Sequence, residues 1–305
     1  MDFERPKSGG EPMLPGGFRA AVARELQAHD LTPKAWHAAG VDCLTPAGES
    51  RYVGLANLYR RAKAVPRDEW PGMIQHFMRV LIDSTSADNL PPESLGVLRD
   101  RLRVRVGTPF DLADAARPWQ QPLPGTPLAV NLVIDSAEFM TYVTDGMMAA
   151  AGGTPDHWLA VGLDNLRDAT PDDWLGVFHA ETGMLGGHAG DSYDAARALV
   201  LEQLGDPSPA GWLVAIPARD WLFALPVTAD SLPGVPLLKV LAEKSFAEDA
   251  YPISDEVFWV RGGVWERFPI TLTDERADVS PSDAFLAALQ ALAPGDADRD
   301  ADGGA

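Results

Sequence analysis

The sequence predicts an α+β protein in which helices pack on an antiparallel sheet built from repeated hairpin–helix units, arranged in two lobes. Two observations predict this class. Pairs of short apolar, β-branched runs recur, and each pair is joined by a polar turn and followed by a helical stretch. In addition, 46% of the residues are hydrophobic and 23% are charged, which is typical of a globular protein with an ample core.

The N-terminal lobe, 15–117, is predicted to begin with a helix. Two strands follow, and then a long helical stretch over 54–84 that prolines interrupt. Asn57 and Asn165 both lie in helical stretches, where asparagine is unfavourable, so we expect their amides to bond to neighbouring loops. The first helix is indicated by apolar residues that recur at a spacing of four on one face: Phe18, Val22 and Leu26.

Prolines and small polar residues mark the boundaries. The segment 118–127, PWQQPLPGTP, holds four prolines in ten residues and predicts a stiff linker. The C-terminal lobe is then 128–292. The ends, 1–14 and the acidic tail 293–305, are predicted to be disordered, because they offer almost nothing apolar to bury.

The C-terminal lobe repeats the hairpin–helix unit four times. Thr154 is placed to cap a helix that starts at Pro155. Gly262-Gly263 separates two aromatic runs and predicts a two-residue hairpin turn. Helices are also predicted at 236–248 and 281–292. The predicted strands are, in chain order, LAVNLVID, EFMTYVT, WLGVFH, GMLGG, GWLVAIP, WLFALPV, EVFWV and VWERFPI.

The stretch 187–204, GHAGDSYDAARALVLEQL, predicts a helix rather than a catalytic site. Asp191 is placed to accept hydrogen bonds from the first N–H groups of that helix, and Asp194 completes a variant capping box. Ser192 lacks the flanking glycines of a catalytic serine elbow. An apolar stripe runs along the helix: Ala196, Val200 and Leu204.

A metal site is the alternative for the same region. His179 and Glu181 share one face of a predicted strand, and a hairpin would return His188 beside them, with Asp191 nearby. Divalent ions such as Zn²⁺ accept nitrogen and oxygen ligands of this kind. However, the spacing matches no known metal motif, and several glycines leave the loop geometry open. No other cofactor is predicted, since phosphate-binding glycine motifs are absent from the sequence.

Charge and composition restrict the partners and the compartment. Against 25 Lys and Arg stand 44 Asp and Glu, and the net charge of −19 repels the phosphate backbone of nucleic acids. No apolar run approaches the roughly 18–20 residues of a membrane span. The first residues do not resemble a secretory signal, and the single Cys43 forms no internal disulfide. We therefore expect a cytoplasmic protein that binds neither nucleic acid nor membrane.

Five short segments carry a family resemblance over most of residues 15–275: LANLYRR (55–61), VGLDNL (161–166), GDSYDAARALVLEQL (190–204), GWLVAIPARDWLFA (211–224) and YPISDEVFWV (251–260). In this order they resemble the YtpQ-like proteins, a bacterial family of unknown function. The family's YDASR is YDAAR in this chain. The resemblance implies the order of elements and a cytosolic location, and it implies no activity, cofactor or catalytic residue.

The sequence predicts a non-catalytic protein-interaction or assembly module, bound to a protein partner or to a second copy. Catalytic signatures are missing, and VFWV and LVAI are apolar on both strand faces, so helices or another chain must cover both. One alternative is a hydrolase that uses a metal-bound water at the 179–191 loop. Another is a small-ligand sensor with a groove between the lobes, where Arg219 and Asp220 would supply polar contacts.

Overall fold

The computed structural model confirms the predicted α+β class, because its helices pack on antiparallel sheets. None of the described helices is long and apolar enough to cross a membrane. The predicted disordered ends, 1–14 and 293–305, lie outside the described residues, except that Leu14 is described and buried. The structure describes residues 14–37, 40–46, 48, 50–85, 95–110, 118–135, 140–205, 208–273 and 276–292.

The first residues form a small unit with its own core. Three antiparallel strands, in the order β1-β2-β3, lie beside three helices. The predicted apolar face of the first helix is confirmed, since all three of its residues are fully buried. The elements are α1 (Gly16–Ala28), β1 (Thr32–Trp36), β2 (Gly40–Leu44), β3 (Ser50–Gly54), α2 (Ala56–Lys63) and α3 (Trp70–Thr85).

The second sheet joins residues from both sides of the predicted linker at 118–127. Its strand β6 (Ala129–Asp135) pairs with β4 (Leu102–Gly107), β5 (Gln120–Pro122) and β7 (Met140–Tyr142). The proline-rich stretch is therefore no simple spacer, because it supplies β5. The buried residues place a boundary before the predicted linker instead: one core ends in α3, and the next core begins at Leu95.

Two helices, α4 (Asp145–Ala151) and α5 (Pro155–Asp168), follow the second sheet. Thr154 caps α5 as predicted, since its hydroxyl accepts from the N–H group of His157. The predicted role of Asn165 is also confirmed. Its side-chain amide donates to the carbonyl oxygen of Arg99, in the turn before β4, at 2.7 Å and to that of Leu102, the first residue of β4, at 3.0 Å, and so fixes α5 against the sheet.

The third sheet has six strands, all antiparallel, in the order β13-β12-β10-β11-β9-β8. The predicted hairpin at Gly262-Gly263 is confirmed, because both glycines adopt positive φ, as a type I′ turn requires. The strands are β8 (Leu175–His179), β9 (Met184–Gly187), β10 (Trp212–Ala215), β11 (Leu222–Pro226), β12 (Val257–Arg261) and β13 (Val264–Arg267).

Both faces of the third sheet are covered from within the chain. Alternate residues of its central strands enter the core shared with the second sheet, among them Val214 and Phe258. Their neighbours Leu213 and Trp259 face the opposite side, which α7 and α8 cover. The strands are apolar on both faces for this reason, so the pattern does not call for a second chain. The remaining elements are α6 (Leu201–Leu204), α7 (Val235–Glu248), β14 (Ile270–Leu272), β15 (Ala277–Val279) and α8 (Asp283–Gln290).

The edge strand β8 carries a β-bulge. Val177 pairs with Leu185 and His179 pairs with Met184, so that Phe178 is an extra residue in the strand. Val177 and Phe178 are exposed, at 70% and 45% of their surface.

Two adjacent glycines of β9 make room for aromatic rings on opposite faces of the sheet. The ring of Phe178 lies over Gly186, and that of Trp174 lies over Gly187. A Cβ atom at 187 would come within 2.4 Å of the Trp174 ring, so no larger residue fits without movement. These glycines are therefore packing positions within a strand, and the loop flexibility expected of them is wrong.

We expect Gly187→Ala to lower the free energy of unfolding by about 1–3 kcal/mol, because the added methyl group overpacks against Trp174. Urea unfolding measures the change. Gly176→Ala is the matched control, since Gly176 lies in the partner strand of the same hairpin and a methyl group added there would meet no atom within 4 Å. Equal stability of the two variants would contradict this account.

Candidate binding site at the 217–221 turn

The prediction of one continuous helix over 191–204 is wrong. The chain forms a 3₁₀ helix at Ala195–Leu199 and then the short α6. Asp191 caps no helix, because its Oδ1 accepts from the N–H group of Tyr193 at 3.0 Å. Asp194 turns back to the preceding loop and accepts from the N–H groups at 189 and 190, at 2.7 and 3.2 Å.

Arg197 explains this departure, because its guanidinium is fully buried and needs the two aspartates as partners. It donates to Asp191 at 2.5 and 2.8 Å and to Asp194 at 3.3 Å. Its Nε donates to the hydroxyl of Thr170 at 3.0 Å, and its Cζ lies 5.5 Å from the Trp174 ring. A buried charge persists only with such partners, so the network fixes the 188–194 loop.

The net pKa shifts of the two carboxyl groups have opposite directions. Burial raises the pKa of Asp191, but the hydrogen bonds and charge of Arg197 outweigh burial and leave that pKa below its usual range. Burial also raises the pKa of Asp194, and there it outweighs the donors at 189 and 190 and the charge of Arg197. Asp191 is therefore the more firmly ionised partner of Arg197.

The structure does not bring the four predicted metal ligands together. His179 lies at one end of the β8–β9 hairpin and His188 follows the other end, where Gly187 pairs with Leu175; four residues of strand separate the two ends by about 13 Å. His179 Nδ1 lies 3.0 Å from the Thr182 hydroxyl, Glu181 is exposed in the turn, and Asp191 binds Arg197. Among the described residues, no three His, Cys, Asp or Glu side chains are grouped to hold a metal ion. Metal binding stays a prediction.

The turn 217–221, PARDW, is held by main-chain hydrogen bonds from two sides. The carbonyl oxygen of Arg219 accepts from the N–H group of Ala195 at 3.1 Å. Its own N–H group donates to the carbonyl oxygen of Tyr251, also at 3.1 Å. Tyr251 has a φ of +59°, a left-handed conformation that bulky residues rarely adopt and that is enriched at functional sites.

Four aromatic side chains form a continuous row that ends beside this turn, and we name them the aromatic row: Phe178, Phe223, Trp221 and His188. Their ring centroids are 5.1, 5.4 and 4.6 Å apart in that order. The rings of Trp221 and His188 are nearly parallel, at 12°. His188 Nδ1 lies 2.9 Å from the carbonyl oxygen of Asp220, which fixes the ring. His188 and Phe178 are exposed at the two ends.

Arg219 and Asp220, predicted as polar contacts of a ligand site, lie together beside the row. Nε and Nη2 of Arg219 donate to the two carboxylate oxygens of Asp220, each at 2.9 Å. The guanidinium also lies 3.9 Å from the centre of the Tyr251 ring. Burial lowers the pKa of Arg219, but Asp220 and Tyr251 outweigh burial and raise it.

Carboxylates gather at the C-terminal end of α7, next to the row. Glu248 and Asp249 stand where the helix dipole is negative, which is unfavourable for acidic groups. Burial raises the pKa of Asp249; the Ser245 hydroxyl lowers it, Glu248 and Asp220 raise it, and His188 lowers it. The net pKa is above the usual range, with burial as the largest cause. The carboxylates of Asp220, Glu248 and Asp249 lie close enough to affect one another, and a cation placed among them would be stabilised.

Sequence reasoning identified Arg219 and Asp220 but missed Arg197 and the aromatic row. One signal for Arg197 was present, since an arginine within the small and apolar run AARALVL, just after two aspartates, is typical of a buried ion pair. The row has no comparable signal. Its members come from three separate segments, which only the β8–β9–β11 pairing brings together.

We expect Arg197→Met to lower the free energy of unfolding by about 3–5 kcal/mol, because it leaves Asp194 buried without its charged partner. Adding Asp194→Asn should restore part of the loss. Thermal and urea unfolding measure both. Arg167→Met is the control, because Arg167 forms a partly exposed pair with Asp164 and should cost about 1 kcal/mol or less. A loss no larger than that of the control would contradict a structural role for the ion pair.

Asp191→Asn should cost stability chiefly above about pH 4. A carboxyl whose folded pKa is depressed contributes its stabilisation above the unfolded pKa of about 3.9, and loses it as the pH falls through the lower folded value. Urea unfolding at pH 7, 5 and 3.5 measures the difference from the parent protein. Asp173→Asn, at an exposed position before β8, serves as the control. A difference that does not shrink on acidification would contradict the assignment.

Comparison with known proteins adds no relative. No family model, no curated protein and no solved structure matches the chain. The likeness to the YtpQ-like proteins therefore stays a prediction.

Proposed function

We propose that the protein is a non-catalytic binding module that holds a basic segment of a partner protein against the aromatic row. The observation that carries the proposal is the row itself, exposed at both ends and bordered by the carboxylates of Asp220, Glu248 and Asp249. Aromatic faces beside carboxylates are what an arginine or lysine side chain binds best.

The aromatic half of the site suits a flat cation. Trp221 lies between two nearly parallel rings, so its position is fixed before any partner arrives. Such fixed aromatic groups lose little conformational entropy on binding, which favours affinity. The exposed ring of His188 extends the stack outward, where a guanidinium can lie on it.

The charged half of the site favours a basic partner over other partners. Arg219 already pairs with Asp220, so Glu248 and Asp249 at the end of α7 are the carboxylates that a basic partner would meet. The whole chain, at −19, also attracts a basic protein from a distance. The same charge repels a second copy, so we propose a different protein as the partner.

The proposed compartment is the cytoplasm. The chain has one cysteine, Cys43, which is buried, and a chain of 305 residues without an internal disulfide suits a reducing compartment.

The test measures binding of a fluorescein-labelled peptide of five Arg-Gly repeats by fluorescence anisotropy in 150 mM salt. We expect saturable binding. We expect Trp221→Ala to weaken it about tenfold, because His188 loses the ring that it stacks on and the cation–π contact of His188 with the peptide, worth about 1–2 kcal/mol, is lost with it. Trp36→Ala is the matched control, since Trp36, in the N-terminal unit, is also a half-buried tryptophan and stacks with a cation, Arg19, away from the proposed site. Thermal unfolding establishes that both variants fold.

Three outcomes would contradict the proposal. The first is no binding by the parent protein. The second is equal binding of a Glu-Gly peptide of the same length. The third is equal loss in the Trp221 and Trp36 variants. If free arginine amide binds as tightly as the peptide, the small-ligand alternative replaces the protein partner.

A further inference from the structure

We infer that Arg60 of α2 is an internal occupant of the acidic end of this site, and that a partner must displace it to bind fully. The inference rests on the proposed function. It adds regulation, because the same contact that closes the site also attaches the N-terminal unit to the rest of the chain.

Arg60 makes the contact that a partner's arginine would make. Its Nη1 donates to the carbonyl oxygen of Asp249 at 3.1 Å and to that of Phe246 at 3.4 Å. These carbonyls belong to the last turn of α7 and to its C-cap, where helices attract cations. A half-buried guanidinium from a helix about 190 residues earlier in the sequence therefore sits on the negative end of α7, beside Glu248 and Asp249.

The contact is of a kind that exchanges easily. Arg60 binds neutral carbonyl groups, and it forms no ion pair with a carboxylate among the described residues. Hydrogen bonds to carbonyls are weaker than those to ionised acceptors. An incoming arginine that also stacks on His188 gains an aromatic contact that Arg60 lacks, so displacement is favourable.

A second contact from α2 reaches the strained residue of the site. The side-chain oxygen of Asn57 accepts from the N–H group of Tyr251 at 3.4 Å, which confirms the prediction that the Asn57 amide bonds to a loop. Tyr251 in turn lies against Arg219. Release of Arg60 therefore removes one of these two contacts of α2, so the N-terminal unit, which has a core of its own, would be held less firmly.

The acidic end of the site thus has two competing states. In one it holds Arg60, which attaches the N-terminal unit; in the other it holds an arginine of the partner. Any ligand that binds one of two states shifts the population toward that state. Binding of a basic segment at the aromatic row would displace Arg60, and the N-terminal unit would lose that contact with the end of α7.

The test repeats the Arg-Gly peptide titration with Arg60→Ala and Arg61→Ala. Arg61 is the next residue of α2, is exposed, and loses the same charge, so it controls for the general electrostatic gain. We expect Arg60→Ala to bind the peptide at least threefold more tightly than Arg61→Ala does. Arg60→Lys should restore the parent affinity. Equal affinities for the two alanine variants, or weaker binding by Arg60→Ala, would overturn the inference.

Hydrogen exchange of the unmodified protein gives an independent measurement should Arg60→Ala fail to fold. Saturating peptide should speed amide exchange in α2 while exchange in α5 stays unchanged. Unchanged or slower exchange in α2 would overturn the inference. Failure of this inference can be distinguished from failure of the proposed function. If only the inference fails, the parent protein still binds the peptide and Trp221→Ala still weakens that binding. If the proposed function fails, the parent protein does not bind the peptide.

Discussion

One buried charge, the guanidinium of Arg197, is the constraint on which the C-terminal architecture depends. A charged group with no exposed surface is tolerated only when ionised and polar partners surround it. The partners come from three places: the 188–194 loop, the end of α5 and the turn before β8. Meeting that requirement fixes the loop, and the fixed loop places His188 on Trp221. The position of the proposed binding site therefore follows from the partners that the buried Arg197 requires.

The two faces of the third sheet are covered by different parts of the chain. One face joins the second sheet in the larger core, and the other face is closed by α7 and α8, so the interior needs no outside chain. The apolar strands that first suggested an interface are core strands. The proposed site lies at one end of this sheet, where the 217–221 turn, the 188–194 loop and the end of α7 meet.

Local signals were sufficient for much of the fold. The cap at Thr154 and the turn at Gly262-Gly263 depend on neighbouring residues alone, so the sequence predicts them correctly. The pairing of β4 with β6 across a proline-rich stretch is a long-range contact, and the composition of that stretch, which predicted a linker, gave no sign of it. Of the site, Arg219 and Asp220 were predicted. The two aspartates just before Arg197 give a local signal for its ion pairs, but its bond to Thr170, 27 positions away, has no local signal.

The bulge at Phe178 also decides how another molecule can approach the third sheet. A straight, apolar edge strand invites a further strand to add to it, which in a crowded cell leads to aggregation. The extra residue in β8 breaks the regular spacing of its outer hydrogen-bonding groups, and the half-exposed ring of Phe178 lies over Gly186. The edge of the sheet thus exposes an aromatic side chain to a binding partner, but it offers no regular row of main-chain groups with which another strand could pair. Side chains can be recognised here, while uncontrolled growth of the sheet is discouraged.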